Sequence, residues 1–470
     1  MNQFRINASD NRQVAPPDKI YFIGIGGISM SGLAQILLNA GFSVAGSDMK
    51  ESALTAKLAA EGAEIFCPQA AQNITDDIGA VVYTAAIHED NPELAAARAA
   101  GLPLLSRAQF LGQLMENYTE SVAVAGTHGK TTTTSMLAHI FLSAQVDPTV
   151  SVGGILRAID GNIRVGSSEY FVTEACEYTN SFLHFYPKYS VVLNVEAEHL
   201  DFFKDFQAVR RSFGDFIRNT APDGAVVLNG EIEDYEALTE GLKAPVVTYG
   251  LDERFDYHAV NIVYDNYGCA SFTVVSEGKR PIPVCLRVPG KHNISNALAA
   301  YAVADRMGIA PEAILIGLSS YAGTDRRFQR KGSFRGVTVI DDYAHHPTEI
   351  KATLLTAQDY PHKRIVCAFQ PHTYSRTKAF LDDFADALCL ADVVVLADIY
   401  AARETDDLGV SSRDIAGRLE EKDCEVFYVP TADGFEALEK FLSKICIDGD
   451  LLITMGAGNI LEVGEHLLEA

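Results

Sequence analysis

The residues with the clearest chemistry lie between Ser121 and Thr134, where the chain reads SVAVAGTHGKTTTT. The apolar, β-branched start predicts a buried strand, the glycines predict a tight turn, and Thr131 onward predicts the start of a helix. Backbone N–H groups converge at such a helix N-terminus, where Lys130 adds a positive charge and Thr131 adds a hydroxyl suited to Mg²⁺. The segment therefore predicts a phosphate-binding loop, although its glycines lie two residues closer together than in the common nucleotide-binding pattern.

Acidic and imidazole side chains follow two further predicted strands of the middle segment. YFVTEA, residues 170–175, brings Glu174 to the end of the first, and SVVLNV, residues 190–195, precedes Glu196, Glu198, His199 and Asp201. Because the carboxyl ends of parallel strands share one edge of a sheet, we expect Glu174 and His199 to lie beside the phosphate loop. There they could hold Mg²⁺ that bridges phosphate oxygens.

Two asparagines lie three residues apart near the start of a predicted helix over residues 289–306. Asn293 and Asn296 would share one face of that helix. Their amide side chains could read an adenine, whereas capping of the helix explains only one of them.

A glycine turn near the N-terminus predicts a second diphosphate site. Residues 19–24, 29–40 and 42–46 read as a strand, a helix and a strand around the turn of residues 24–27. Asp48 then follows about 20 residues along the chain, the sequence distance at which an acidic residue binds the ribose of NAD. Ser29, however, occupies the place of the third glycine of that pattern, so we favour another diphosphate nucleotide. Arg107 is a candidate phosphate contact.

The last third of the chain repeats a rhythm of strand and helix that predicts a second doubly wound sheet. The predicted strands cover residues 337–341, 364–369, 393–397, 425–429 and 451–454. Polar side chains follow the strand ends, namely Asp342, His345, His346, His372 and Arg376. Two adjacent histidines indicate a metal only when further ligands are present, so a role toward substrate is at least as good an interpretation.

Composition limits the function classes. The chain has 470 residues and a formal net charge of −24, which argues against a nucleic-acid partner because phosphates need a basic surface. The eight cysteines form no C-x-x-C pair, so we expect free thiols in a reducing cytosol. The polar start, which ends in Pro16 and Pro17, is unlike a signal peptide, and no apolar run approaches the roughly 18 residues of a membrane span.

The length predicts about three domains, at about 100 to 200 residues each. We expect a flexible tail over residues 1–17, followed by domains over residues 18–112, 113–324 and 325–470.

Eight motifs occur in order along nearly the whole chain: GIGGISMSG, GTHGKTTTT, TEACEYTNSFL, NVEAEHLDFF, PGKHNISNALAA, TDRRFQ, DDYAHHPTEI and FQPHTYSRTK. Together they resemble the motif set of the Mur ligase family. The resemblance implies an α/β fold of three domains: a Rossmann-like N-terminal domain for a UDP-sugar, a central phosphate-loop ATPase domain, and a Rossmann-like C-terminal domain that brings the amino acid. It also implies ATP-dependent amide formation between the lactyl carboxylate of UDP-N-acetylmuramate and L-alanine through an acyl phosphate, in peptidoglycan synthesis, by a monomer or homodimer.

The resemblance also implies roles for individual residues. ATP contacts fall on Gly126, Thr127, His128, Gly129, Lys130, Thr131, Thr132, Asn293, Asn296, Arg327 and Asp342. UDP-sugar contacts fall on Gly26, Ser29, Ser31, Asp48 and Arg107, and alanine contacts on Tyr343, His345, His372 and Arg376. The implied Mg²⁺ ligands are Thr131, Glu174 and His199. The residues with an implied role in catalysis are Lys130, His199, Arg327 and His345.

One detail of the site and three alternative functions remain open. Some relatives have Arg where this chain has Thr373, so a second clamp on the amino-acid carboxylate is in doubt. A ligase that attaches a preformed murein tripeptide to the same sugar nucleotide shares much of the pattern. The hypothesis of an NAD-dependent oxidoreductase is supported by the first glycine turn alone. The third alternative is a non-catalytic nucleotide-binding regulator, which would bind ATP without forming an amide.

Overall fold

The structure, a computed structural model, describes residues 5–8, 12–84, 87–199, 202–402, 404–405 and 408–469. Within them the chain forms two compact units. The first runs to His258 and includes Val275–Arg280 and Ser295–Leu318, and the second contains Ala259–Val274, Pro281–Ile294 and the residues from Ser319 onward. Asp201, named among the polar residues above, lies outside the described residues.

Part of the expected N-terminal tail is folded. Strand β1 (Ile6–Ala8) pairs in antiparallel fashion with β2 (Arg12–Val14). Ile6 and Val14 are almost fully buried in the core of the first unit. The expectation of a flexible tail is therefore wrong for these residues, because burial of two apolar side chains offsets the entropy of ordering so short a segment.

The N-terminal part of the first unit is a parallel sheet with a Rossmann-like rhythm. Its elements are β3 (Lys19–Ile23), α1 (Ile28–Asn39), β4 (Ser43–Ser47), α2 (Ala53–Ala60), β5 (Glu64–Phe66), β6 (Ile78–Tyr83), α3 (Pro92–Ala99), β7 (Leu104–Ser106) and α4 (Arg107–Met115). The strand order is β5-β4-β3-β6-β7, and every pair is parallel. The predicted β-α-β unit is confirmed. The predicted domain boundary after residue 112 falls inside α4.

The middle part of the chain supplies the sheet that carries the phosphate loop. Its elements are β8 (Glu120–Ala125), α5 (Lys130–Ser143), β9 (Thr149–Leu156), β10 (Gly161–Arg164), β11 (Tyr170–Ala175), β12 (Tyr189–Val192), α6 (Phe206–Arg218), β13 (Ala225–Asn229), α7 (Tyr235–Thr239), β14 (Val246–Gly250), β15 (Tyr257–Tyr264), β16 (Cys269–Ser276), β17 (Ile282–Pro289), α8 (His292–Arg306) and α9 (Pro311–Ser320).

Strand β8 lies in the interior of this sheet, between β11 and β12. Parallel strands follow in the order β9-β11-β8-β12-β13-β14, and β10 forms an antiparallel hairpin with β9. Residues 121–125 of β8 are all buried, as expected for a parallel strand covered on both faces. The ends of β8, β11 and β12 therefore meet at one edge, which is where the sequence placed the loop, Glu174 and His199.

The second unit contains the second doubly wound sheet that the sequence predicts. Its elements are β18 (Gln329–Phe334), β19 (Val337–Asp342), α10 (Pro347–Gln358), β20 (Ile365–Phe369), α11 (Tyr374–Ala379), α12 (Leu381–Leu388), β21 (Val393–Leu396), α13 (Ser412–Glu420), β22 (Val426–Tyr428), α14 (Glu436–Ile445), β23 (Leu451–Met455) and α15 (Leu461–Glu469). The order is β18-β19-β23-β20-β21-β22, parallel except for β18.

Two cysteines differ from the expectation of free thiols. Cys389 and Cys424 form a disulfide with their Cα atoms 5.8 Å apart. They lie 35 residues apart in sequence, and the packing of α12 against α13 brings them together. The remaining six cysteines are free. Among the described residues, every helix is too short or too polar to cross a lipid bilayer.

Candidate functional site

The phosphate loop connects β8 to α5 through two glycines with positive φ. Gly126 has a φ of 151° and Gly129 has a φ of 83° at the N-cap of the helix. A Cβ on Gly129 would lie 2.6 Å from Oδ1 of Asn296. The left-handed backbone and this close approach both require glycine. Asn296, which the sequence assigned to ATP, therefore lies against the loop.

Asn194, which sequence reasoning did not single out, fixes the shape of the loop. Its backbone oxygen accepts from the N–H of Thr127 at 3.3 Å, and its side-chain oxygen accepts from the N–H of His128 at 2.8 Å. The hydroxyl of Thr127 accepts from the N–H of Glu196 at 3.0 Å. His128 places its Nε2 3.5 Å from the Glu196 carboxylate. The first residues after β12 thus hold the loop from one side.

Lys130 lies at the start of α5 and its ammonium group is held by oxygen atoms. Its Nζ donates to the backbone oxygens of Gly126 and Thr127, and it lies 2.9 and 3.1 Å from the two carboxylate oxygens of Glu177. Burial alone would lower the pKa of Lys130, but the negative charge of Glu177, together with Cys176 and Glu174, outweighs this effect and the pKa lies above its usual value. The lysine is therefore charged at neutral pH.

The predicted metal ligands lie beside this lysine. The hydroxyl of Thr131 donates to Oε2 of Glu174 at 3.1 Å, and the other oxygen of Glu174 accepts from the N–H of Gly153. His199 has a φ of 54°, and its Nε2 lies 3.7 Å from Oε1 of Glu177. The Tyr178 ring packs on the His199 imidazole with the ring centroids 4.6 Å apart. Thr132 is half-buried in the first turn of α5.

The predicted UDP-sugar residues gather at the carboxyl ends of β3 and β4. The N–H of Gly26 donates to Asp48 at 2.8 Å, and a Cβ on Gly26 would lie 2.7 Å from that same oxygen. Arg107, the first residue of α4, donates to the hydroxyl of Ser29 at 3.2 Å. Ser31 differs, because it is buried and donates to the carbonyl oxygen of Ile28.

A cavity of about 290 Å³ separates these residues from the metal-ligand candidates. Ser29 and Arg107 line one side, and Ser151, Gly153 and Glu174 line the other. Two candidate UDP-sugar residues and one candidate metal ligand of the first unit therefore border the same cavity.

In the second unit, Asp342 ends β19 as a buried carboxylate. It accepts from the N–H groups of Phe328 at 2.7 Å and Ala344 at 2.8 Å. Burial raises the pKa of Asp342 to about 6, although the Arg327 guanidinium acts in the opposite direction. Arg327 lies 5.5 Å from the centre of the Tyr343 ring and 3.7 Å from the carboxylate of Glu349.

The four residues assigned to alanine form one cluster at the ends of β19 and β20. Nδ1 of His345 lies 2.9 Å from the carbonyl oxygen of Tyr343, and its ring lies 5.6 Å from the ring of His372. Nη1 of Arg376 lies 3.1 Å from Nδ1 of His372. Tyr400, which sequence reasoning missed, stacks on His372 with the centroids 5.7 Å apart.

Two other predicted residues of the second unit have local roles. Asn293 is buried and donates to the carbonyl oxygen of Pro289 at 2.7 Å. His346 caps α10 by accepting from the N–H of Thr348 at 3.3 Å, and Pro347 begins that helix as predicted.

The fold and this site define a class, namely α/β proteins in which a phosphate loop follows the strand of a parallel sheet, with Rossmann-like sheets earlier and later in the chain. Three family descriptions match the chain in order: "Mur ligase family, catalytic domain" over residues 19–119, "Mur ligase middle domain" over residues 124–304, and "Mur ligase, glutamate ligase domain" over residues 326–458. The chain belongs to the Mur ligase family.

Individual relatives agree with this assignment. The chain is 61% identical to the UDP-N-acetylmuramate--L-alanine ligase of Agathobacter rectalis over 453 residues, which cover 96% of the chain and 98% of that protein. It resembles the crystal structure of UDP-N-acetylmuramate-alanine ligase from Thermotoga maritima with a TM-score of 0.77 and 32% identity, over 96% of this chain and 98% of that one. A murein peptide ligase from Psychrobacter arcticus matches with a TM-score of 0.70 and 24% identity over 96% and 98% of the two chains, which shows the fold alone.

Proposed function

We propose that the protein joins L-alanine to the lactyl carboxylate of UDP-N-acetylmuramate and converts ATP to ADP and phosphate, as a step in peptidoglycan synthesis. The similarity to the enzyme named from Agathobacter rectalis supports this substrate pair. The observation that carries the proposal is the cavity lined by Arg107 and Glu174, because a carboxylate there would lie beside Glu174, which accepts a hydrogen bond from Thr131 at the start of α5.

The proposed reaction has two steps. A carboxylate is a poor electrophile, so one of its oxygens first attacks the γ-phosphorus of ATP, and the bond to ADP breaks. The amine of alanine then attacks the carbonyl carbon of the acyl phosphate through a tetrahedral intermediate. Loss of phosphate forms the amide, and the amine proton is released.

The first step brings two anions together, and Lys130 is the residue best placed to offset their repulsion. Its raised pKa keeps it charged, and it lies at the N-terminus of α5, where the helix dipole favours an anion. We assign Gly126, Thr127, His128, Gly129 and Thr132 to the same phosphate contacts.

Mg²⁺ suits the donor set near the loop. The hydroxyl of Thr131 lies 3.1 Å from an oxygen of Glu174, and paired oxygens of this kind are the ligands that Mg²⁺ prefers. We assign these two residues to one ion and His199 to a second. Bound Mg²⁺ would neutralise phosphate charge, and the chain's own contribution is to hold these side chains in place through Gly153 and Tyr178.

The second unit supplies the proposed alanine contacts. Arg376 is assigned to the amino-acid carboxylate, and Tyr343, His345 and His372 to the walls around it. Thr373 caps α11 with a φ of 68° and offers no second guanidinium, so one arginine carries this recognition. Arg327 and Asp342 are assigned to ATP, Asn293 and Asn296 to its adenine, and Gly26, Ser31 and Asp48 to the UDP moiety.

The domain boundary after residue 324 and a cytosolic location belong to the same proposal.

The test is the mass of the product formed from UDP-N-acetylmuramate, ATP and Mg²⁺ with alanine, glycine, serine or the murein tripeptide offered in separate reactions. We expect the alanyl amide to form fastest, with one phosphate released per amide. Faster formation of the tripeptide product would overturn the alanine assignment, and absence of any amide would overturn the ligase assignment.

A further inference from the structure

We propose that Gly32 and Gly112 are positioning residues, which set the width of the cavity and thereby the distance from the acceptor carboxylate to the phosphate loop. The inference rests on the proposed function, because it assigns that cavity to the acceptor.

Gly32 lies on α1, and it lets the hairpin of β9 and β10 approach that helix closely. A Cβ at Gly32 would lie 1.8 Å from Cδ1, 2.6 Å from Cγ1 and 2.8 Å from Cβ of Ile163. Ordinary contact between carbon atoms begins at about 3.4 Å. Rotation of the Ile163 side chain can move Cδ1 and Cγ1 but not Cβ, so an alanine at this position would force α1 and β10 apart by about 0.6 Å, from 2.8 to 3.4 Å between the two Cβ atoms.

This contact is directly linked to both walls of the cavity. Ile163 pairs in register with Ser151, and Ser151 lines the cavity on the Glu174 side. Ser29, one turn before Gly32 on α1, lines the opposite side. A change in the spacing between α1 and β10 therefore changes the distance between Ser29 and Ser151.

Gly112 makes an equivalent contact between α4 and the 3₁₀ segment Tyr178–His184. A Cβ at Gly112 would lie 2.0 Å from the carbonyl oxygen of His184. The obstacle is backbone, so a side chain cannot move aside to relieve it. Leu111 on α4 and Phe185, which follows His184, both line the cavity. This second contact fixes the same width from another direction.

Both helices that carry these glycines also carry the residues assigned to the sugar nucleotide. Ser29 belongs to α1 and Arg107 to α4, and their side chains are hydrogen-bonded to each other at 3.2 Å. The pair of helices can thus shift as one wall, and the two glycines determine how near that wall comes to Glu174. A displacement of about 1 Å can cost about a hundredfold in rate when it misaligns reacting groups.

The experiment compares Gly32→Ala and Gly112→Ala with a matched control, Gly417→Ala. Gly417 is also helical, and no described atom lies within 4 Å of a Cβ there. We expect each of the first two variants to lower kcat/KM for UDP-N-acetylmuramate by about 10- to 100-fold. We expect the KM for alanine to stay within about twofold, a split that general destabilisation would not give, and the control to match the wild type.

A double variant tests the contact itself. Ile163→Ala removes the two nearest atoms but keeps the Cβ at 2.8 Å, so Gly32→Ala with Ile163→Ala should recover part of the loss seen with Gly32→Ala alone, while Ile163→Ala by itself changes little. If Gly112→Ala does not fold, the inference is tested by comparing Gly32→Ala and Ile163→Ala with their double variant. Unchanged kinetics in Gly32→Ala, an equal loss toward all three substrates, or a double variant without recovery would each overturn the inference. A wild type that forms no amide would instead overturn the proposed function.

Discussion

The ammonium group of Lys130 lies between both oxygens of the Glu177 carboxylate, at 2.9 and 3.1 Å. Only 2% of the Glu177 side chain is exposed, against 16% of Lys130. Burial of the pair weakens its screening by water, so this carboxylate makes the largest contribution that keeps the lysine assigned to the phosphates charged.

Replacing the carboxylate of Glu177 should change how kcat/KM for ATP depends on pH. Since burial alone lowers the pKa of Lys130, Glu177→Gln should move the alkaline limb of kcat/KM for ATP to lower pH. The measurement is a pH–rate profile from neutrality upward, with Glu253→Gln at an exposed position as the control. An unchanged alkaline limb would show that Glu177 does not set the lysine's charge.

The carboxylate of Glu174 should set the Mg²⁺ requirement. Glu174→Gln keeps the shape of the side chain but removes its charge, so half-maximal activity should require at least about tenfold more Mg²⁺. Titration of activity with Mg²⁺ at saturating substrates checks this, beside Glu169→Gln, which changes an exposed residue just before β11. Equal Mg²⁺ dependence in both variants would remove Glu174 from the ligand set.

Arg376 should matter for alanine alone. Loss of a charged pair of about 2 kcal/mol corresponds to a roughly 30-fold rise in the KM for alanine in Arg376→Ala. The KM values for ATP and UDP-N-acetylmuramate should change little. Arg418→Ala, which removes a half-exposed surface ion pair, serves as the control. A normal KM for alanine would take Arg376 out of the alanine contacts.

Asp342 should make stability depend on pH in mildly acidic solution. Its pKa is raised from 3.8 to about 6 in the fold, so the unfolded chain loses this proton first as the pH rises. Folding stability from this group is therefore highest below about pH 4, falls as the pH rises to about 6, and is lower by about 3 kcal/mol above that.

Urea denaturation at a series of pH values checks this expectation. Asp342→Asn should abolish the decline between about pH 4 and 6, and Asp382→Asn, at an exposed position, should keep it. A decline of the same size in both variants would contradict the assignment to Asp342.

The sequence predicts elements better than it predicts contacts between them. The alternation of apolar strands and helices predicted both parallel sheets. The position of Glu174 at a strand end was enough to predict that it lies near the phosphate loop, and in the structure it accepts a hydrogen bond from Thr131. Glu177 was overlooked because it lies two residues past the strand end, and no spacing rule predicts the backbone turn that brings it to Lys130. The signal that could have revealed Glu177 was Lys130 itself, because a buried lysine needs a negatively charged partner.

Other misses have the same physical origin. The pairing of Cys389 with Cys424 depends on how α12 packs on α13, and the burial of Ile6 depends on a core formed by distant residues. Asn194 holds the loop with one backbone and one side-chain oxygen, and such a role has no compositional mark. These contacts arise from tertiary packing, which local patterns do not determine.

The central claim is that the γ-phosphoryl group of ATP is transferred to the acceptor carboxylate. The most direct measurement uses UDP-N-acetylmuramate whose lactyl carboxylate carries ¹⁸O, followed by mass analysis of the phosphate released with alanine and ATP. The account predicts one ¹⁸O atom in each phosphate, and no labelled phosphate from Lys130→Ala. Phosphate without ¹⁸O, with both labelled atoms left unchanged in the sugar nucleotide, would contradict it.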